Sequence, residues 1–502
     1  MSKHSRSQIL INSLPGEVRV ALLEADVVQE VHIERTNESS IVGNIYRAVV
    51  TRVMPGLQAA FVDFGSERNG FLHADDVMAK SVTQLNQQPD APTNAKDIRY
   101  LLREGQQIAV QVIKQPVAEK GARLSTKLAL ASAYAVYQPH GSGHKISHRI
   151  NAKDERTRLE NGLAQILDSN PTEQKNSAGS YILRSAANNI DLTLLAVEVN
   201  FLQCLWSGVE TKRAIGSGPG CLHQELPTAQ RLIRDLPAGE LTKIVVDDKH
   251  ILDQLKKFCD DIQIDLPNGL NYHSESQPLF GKYGIDHEIG KALQGRIELD
   301  NGGYLIIDQT EAMATIDVNT GSNTGRQDPE KTVYQTNLRS VTEIAHQIRL
   351  RNLSGIIVID FIDMKKLRHR DQVLDSLKRV MRGDRTDVFI SEFTELGLVQ
   401  IRRKRTYQSL RQLLHTDCSN CHGYGSVKSV DTVIFEIWRE LKHVVDMYNC
   451  TTLSVRASSE VIEGFLASKD SFTKTFNEVF KCKIMIADEP LFTREQFDVI
   501  PG

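Results

Sequence analysis

Apolar and polar positions change period several times along the chain. Between residues 8 and 35 the runs QILINSL, EVRVALLEA and VVQEVHIER are short, mostly apolar or alternating, and broken by polar pairs. That pattern predicts three short strands joined as hairpins. A second set follows from 42 to 130: VGNIYRAVVTRV, LQAAFVDFG, GFLHADDV, GQQIAVQVIKQ and ARLSTKLAL. The polar stretch at 78–97 interrupts it and predicts a long loop. Five short strands with a glycine turn and one long loop fit a small OB-type barrel.

Helical spacing then takes over. QPHGSGHKI at 138–146 is a linker, 152–168 predicts a helix, 170–180 a loop, YILRS a strand and 190–209 a long amphipathic helix. The breaker IGSGPG precedes helix–strand–helix material to about 262. GYLIIDQ and AMATIDV predict two buried strands. Asp328-Pro329 supplies an N-cap and a first-turn proline for a helix to about 353, followed by the apolar strand GIIVIDF and a helix over 370–382. Strands alternating with helices predict an α/β layer domain. From 431 a helix, the strand TLSVRA, further helices and the strand KCKIMIA predict a separate small α/β unit.

The 502 residues suggest about three domains. Apolar residues at 40% and charged residues at 25% place the chain among globular proteins. No apolar run approaches the roughly 20 residues of a membrane helix, and the N-terminal apolar stretch is too short for a signal-peptide core. A net charge of -3 excludes a whole-protein basic signature, so a nucleic-acid partner would need local patches. Seven cysteines, an odd number and mostly scattered, argue against a disulfide framework and for a reducing compartment.

Four constellations carry chemistry. Asp317 and Asp360 each close an apolar strand. On neighbouring strands they would meet at the sheet edge where α/β sheets bind ligands, and two close carboxylates favour a hard cation, Mg2+ or Mn2+. Asn319 would lie on the same side, and Asp363 is a weaker member. Phe61, Phe64 and Phe71, with Lys114, Lys120, Arg123 and Lys127, could give the barrel a face that stacks bases and tracks phosphates, although one or two of the phenylalanines belong in the core. HTDCSNCHGYG holds Cys418 and Cys421 at zinc-ligand spacing. Its remaining ligands could come from a second copy of the chain, from His415 and His422, or from Cys450 or Cys482. Basic clusters at Arg349 and Arg351, at 365–370 and at 402–405 are of the kind a phosphate backbone prefers.

VGNIYRAVVTRVMPGLQAAFVDFG, GGYLIIDQTEAMATIDVNTG, RLRNLSGIIVIDFIDM, GLVQIRRKR and the CxxCxGxG turn, in this order, resemble the ribonuclease E/G family over nearly the whole chain. The terminal EPLFTREQFDVI is similar to the end of the family's shorter branch, with no long disordered scaffold after it. The resemblance implies an α/β (α+β) multidomain protein. A ribonuclease H-like domain split over 1–38 and 222–285 would carry an S1 barrel at 39–129 and a 5′-sensor region at 130–221. A DNase I-like catalytic region at 286–413, a zinc link at 414–430 and a small domain at 431–502 would follow.

It also implies a cytoplasmic, Mg2+-dependent endoribonuclease, with Mn2+ as a substitute. The enzyme would cut single-stranded A/U-rich RNA to 5′-phosphate and 3′-hydroxyl ends in rRNA maturation and mRNA decay. By position, Asp317 and Asp360 match the family's magnesium ligands with Asn319 beside them, and Phe61, Phe71, Lys114 and Lys120 match its RNA-holding residues. Cys418 and Cys421 match a zinc shared between protomers, which implies a homodimer and allows a tetramer. Arg184-Ser185 falls on the pocket that senses a 5′-monophosphate, where His148 and Asp387 depart from the family's basic pattern. The competing expectations are a non-catalytic S1-domain RNA-binding protein dimerised through zinc, and a DNA nuclease on the same scaffold.

Overall fold

The computed structural model describes residues 7–35, 40–78, 97–116, 121–169, 179–236, 241–261, 266, 268–322, 329–405, 407–448, 450–467 and 481–502. Its contacts divide the chain into two units, Met1–Leu413 and Leu414–Gly502.

In the first unit the three N-terminal hairpin strands, Ser7–Leu14, Glu17–Glu24 and Val27–Arg35, are antiparallel neighbours. They do not complete a sheet alone. Leu241–Val246 adds in parallel beside Ser7–Leu14, and Leu270–Tyr272 adds beyond it. Ile9, Ile11, Val20 and Leu22 bury against Leu232, Ile233 and Leu255 of the later helices. The chain therefore leaves this layer near residue 35 and re-enters it some 190 residues on, because the hairpin's apolar face needs those helices.

The intervening chain first forms a closed sheet. Ile45–Met54, Ala59–Asp63, Gly70–His73, Arg123–Ser125 and Gln107–Lys114 pair in succession, and Ile45–Met54 also pairs with Gln107–Lys114. Closure removes the edges and encloses Val50, Val62, Phe64, Leu72, Val110 and Leu124. Of the loop expected at 78–97, residues 79–96 lie outside the described residues. A four-stranded sheet with helices Lys153–Asp168 and Leu192–Ile215 follows. By length and composition alone, Leu192–Ile215 is long and apolar enough to cross a membrane. Here its Leu195, Val199, Leu202 and Val209 are buried in the protein's own core.

The last sheet of this unit runs Arg296–Glu298, Tyr304–Gln309, Met313–Asn319, Gly355–Asp360, Leu398–Arg403 and Val388–Ile390. Helices Pro329–Leu350 and Leu367–Met381 cover one face, where Ile316, Val318, Ile357, Ile359, Val399 and Ile401 meet Val341, Ile344, Ile348 and Leu374. Asp328, expected as the first helix's cap, lies outside the described residues. Tyr304–Gln309 and Met313–Asn319 were expected to be buried throughout. They alternate instead, Met313–Asn319 strictly so, because only one face of the sheet has helices to pack against.

This layer joins the N-terminal sheet through strand Val27–Arg35. A His346 ring nitrogen lies 2.8 Å from the Val28 carbonyl, and Glu30 sits between His32 at 3.2 Å and Arg385 at 3.9 Å. Burial opposes ionisation of Glu30, but the His32 hydrogen bond and the Arg385 and Arg403 charges outweigh it and hold its carboxyl at about 2.

The second unit is a three-stranded sheet, Lys483–Asp488, Thr452–Ala457 and Phe497–Pro501, with helices Val430–Tyr448 and Ser459–Ala467. Its core holds Val433, Ile437, Leu441, Val455 and Phe465, with Trp438 stacked on Phe465 at 4.9 Å.

Candidate active site and nucleic-acid interface

Met313–Asn319 and Gly355–Asp360 run parallel, and their register sets Asp317 directly opposite Asp360. Neighbouring strands lie about 4.8 Å apart. Ala314, Ile316, Val318, Ile357 and Ile359 take the covered face. The period of two therefore sends Thr315, Asp317 and Asn319, with Val358 and Asp360, to the open face. Asn319 Nδ2 donates to Asp317 Oδ2 at 2.9 Å, which restrains that carboxylate. Gly303 permits the close approach there, since a Cβ at that position would stand 2.7 Å from the Asn319 carbonyl.

The turn after Asp360 is held by Asn337, which is fully buried. Its Nδ2 donates to the Ile362 carbonyl at 2.7 Å and its Oδ1 accepts from the Ile362 N–H at 3.1 Å. This turn carries Asp363. Partial burial, then the charges of Asp317 and Asp363, raise the Asp360 carboxyl above its ordinary value. The open face thus has a surplus of negative charge from oxygen donors alone, which is what a hard divalent cation relieves. Among the described residues no group of three or more His, Cys, Asp or Glu side chains could hold a metal by itself. Mg2+ requires no such cage, since it keeps waters and takes substrate phosphate oxygens. The donor set fits it.

Sequence reasoning missed Arg296 and Tyr304 on the same sheet. Arg296, Ile306, Asp317, Asp360 and Leu398 are successive register partners. The Arg296 guanidinium lies 3.6 Å from the Tyr304 ring centroid. Nothing in the local pattern marks RIE as an edge strand, so no signal was available for Arg296, while Tyr304 lies on the strand GYLIIDQ that the sequence predicts.

The basic clusters are not all free for phosphate. Arg403 is buried on Asp384 at 2.7 Å and also donates to Asn352 Oδ1 and the Leu353 carbonyl. Arg351 is buried and bonded to Gln347 and the Gln294 carbonyl. Both serve the fold. In the middle cluster His369 pairs with Glu330, whose carboxylate also accepts from the backbone of Lys365 and Lys366. Arg402 remains exposed.

On the barrel, Phe64 is core, while Phe61 and Phe71 are half-buried register partners with rings 6.2 Å apart. Arg52 pairs with Phe61, Arg123 with Phe71, and Lys114 with Arg123. Two aromatics thus sit between cations in one row across the strands, and Arg52 is an addition to the residues the sequence suggested. Arg123 is partly neutralised by Asp76 at 2.7 Å. Lys120 lies outside the described residues.

Arg184 follows strand Ser180–Leu183, and Ser185 opens the short turn after it. Arg184 Nη1 donates to Asp235 Oδ1 and to the Ser132 carbonyl, both at 2.7 Å. Burial raises the Asp235 carboxyl, but Arg234 and Arg184 outweigh it and hold it ionised below its ordinary value. Ser185, His148 and Asp387 are exposed.

In the second unit Cys418 is exposed and Cys421 half-buried, on a turn with His422, Gly423 and Gly425 at positive φ. The Gly425 N–H donates to Cys421 Sγ at 3.3 Å. Cys482 lies in the core of this unit and Cys450 packs against it. They are neighbours of each other. Among the described residues no third ligand joins Cys418 and Cys421.

Comparison with known proteins bears on the whole chain. The family model for the ribonuclease E/G family matches residues 129–406, and that for the S1 RNA binding domain matches 40–127. The chain is 40% identical to ribonuclease G of Escherichia coli (strain K12) over 495 residues, covering 98% of this chain and 99% of the relative. It is 39% identical to ribonuclease G of Haemophilus influenzae over 494 residues, with the same coverage. To ribonuclease E of Escherichia coli (strain K12) it is 34% identical over 435 residues, 86% of this chain and 40% of that one.

Proposed function

The chain belongs to the ribonuclease E/G family, a class of endoribonuclease that hydrolyses RNA, and we propose that it cuts single-stranded A/U-rich RNA with Mg2+ held by Asp317 and Asp360. Products would carry 5′-phosphate and 3′-hydroxyl ends, in rRNA maturation and mRNA decay. The observation that carries the reading is the in-register pair of carboxylates on an open sheet face, one of them bonded by Asn319.

Bound there, Mg2+ would polarise the scissile phosphate and lower the pKa of an attacking water; Mn2+ would serve similarly. The chain's own residues do the rest. Asn319 keeps the Asp317 carboxylate from rotating away, and Asn337 holds the turn that follows Asp360. The open face lets a strand of RNA lie across the sheet, while the barrel row of Phe61 and Phe71 stacks bases and Arg52 and Lys114 track phosphates. Lys120 belongs to this set by family position. Arg184 and Ser185 are the proposed 5′-phosphate contacts, with Asp235 competing for the arginine.

Two thiols make half of a tetrahedral zinc site. Cys418 and Cys421 of two copies would complete it, giving a homodimer and, by pairing of dimers, a tetramer. All seven cysteines are free, which fits the proposed cytoplasmic setting. The reading is tested by incubating the protein with matched RNA and DNA oligonucleotides and mapping the product ends. Cleavage of RNA alone with 5′-phosphate ends supports it; cutting of both nucleic acids, or 5′-hydroxyl ends, contradicts it.

A further inference from the structure

The open face of the catalytic sheet has a second feature. On the open side of a half-covered sheet, side chains are ordinarily polar, and Thr315 and Gln400 obey that rule with only the half-buried Val358 between them. The next row does not. Met313, Ile356 and Phe389 are 39%, 51% and 61% exposed. They are not scattered. Met313 pairs with Ile356, Ile356 with Arg402, and Arg402 with Phe389, so the four side chains form one straight row over four strands. Their chain neighbours Ala314, Ile357, Ile401, Val388 and Ile390 pack into or against the core, which fixes the row on the opposite side.

That side is the face of Asp317 and Asp360. Met313 and Ile356 precede the two carboxylates by four residues on the same two strands. At about 3.3 Å per residue the row lies about 13 Å from the pair. This is roughly two nucleotides of a splayed strand, or four stacked at about 3.4 Å. Apolar and aromatic surfaces with a guanidinium among them are what unstacked bases pack on. Arg402 makes no ion pair among the described residues.

We propose that the row Met313, Ile356, Arg402 and Phe389 is a base-stacking subsite for single-stranded RNA, continuous with the carboxylate pair and separate from the barrel. The proposal rests on the nuclease reading for its direction along the substrate. A second copy of the chain is the poorer occupant, since four side chains offer far less than the roughly 800 Å² per partner that a stable interface buries.

The test is binding of an A/U-rich RNA oligonucleotide with one cleavage position, intact or singly abasic at each nucleotide within four of that position. Wild type, Phe389→Ala and Ile356→Ala are compared by fluorescence anisotropy, with sedimentation run alongside. The subsite predicts about tenfold weaker binding of intact RNA by Phe389→Ala. It also predicts no further loss on the one RNA whose missing base occupies the row. Unchanged affinity, equal weakening on every abasic RNA, or a change in oligomeric mass each overturns the proposal. Binding needs no cleavage. If wild type fails to cut, the nuclease reading falls while the affinities still decide the subsite.

Discussion

Asn319 Nδ2 and Asp317 Oδ2 are 2.9 Å apart on adjacent same-face positions of one strand, and Asp360 stands opposite Asp317 on the next. The amide ties down one carboxylate of a pair whose mutual repulsion would otherwise drive it toward solvent. Groups that orient metal ligands are commonly worth 10- to 100-fold. Asn319→Ala is therefore expected to lower kcat by about that factor and to raise the Mg2+ concentration needed for half-maximal rate, with RNA affinity unchanged. Steady-state kinetics over a Mg2+ series checks this.

The barrel row makes a different prediction. Phe61→Ala or Phe71→Ala should weaken single-stranded RNA binding by about 5- to 150-fold, the usual range for one stacked base. Arg52→Ala should weaken it less, and should reduce the slope of log affinity against log salt by about 0.7, the share of one single-strand phosphate contact. Equilibrium binding at four salt concentrations separates the two effects.

Arg184 is held by Asp235 at 2.7 Å. A 5′-phosphate must compete with that carboxylate for the guanidinium. Asp235→Asn should raise the ratio of cleavage rates on 5′-monophosphate and 5′-hydroxyl RNA by several-fold, and Arg184→Ala should bring the ratio to one. An unchanged ratio in Asp235→Asn, with an unchanged melting temperature, would remove Arg184 from 5′-end sensing.

Cys418 and Cys421 have no third ligand among the described residues. If two chains share one zinc, Cys418→Ser, Cys421→Ser and a chelator should each halve the mass seen by light scattering. Zinc content of the wild type should be one ion per two chains. One ion per chain would indicate a different ligand set.

Much of this was legible because it follows period. The apolar runs MATI and GIIVI announce strands, and the two aspartates that close them announced a pair. The resemblance of the family blocks then suggested the roles proposed for these residues. Three things were not legible. The edge strands Arg296–Glu298 and Val388–Ile390 are three residues long, too short for a pattern, so Arg296 and Phe389 went unremarked as parts of one face. Arg403 looked like its basic neighbours, and only the distant Asp384 at 2.7 Å turns it inward. The Arg184–Asp235 contact joins residues about 50 apart, and no local rule foresees it.

The central claim is that Asp317 and Asp360 hold the metal for RNA cleavage. Its most direct measurement is cleavage of a short A/U-rich RNA with Mg2+ by wild type, Asp317→Asn and Asp360→Asn, with RNA binding measured in parallel. The account predicts cutting by wild type only, with each variant slowed by at least about 1,000-fold and binding RNA as wild type does. Cleavage by either variant near the wild-type rate would contradict it.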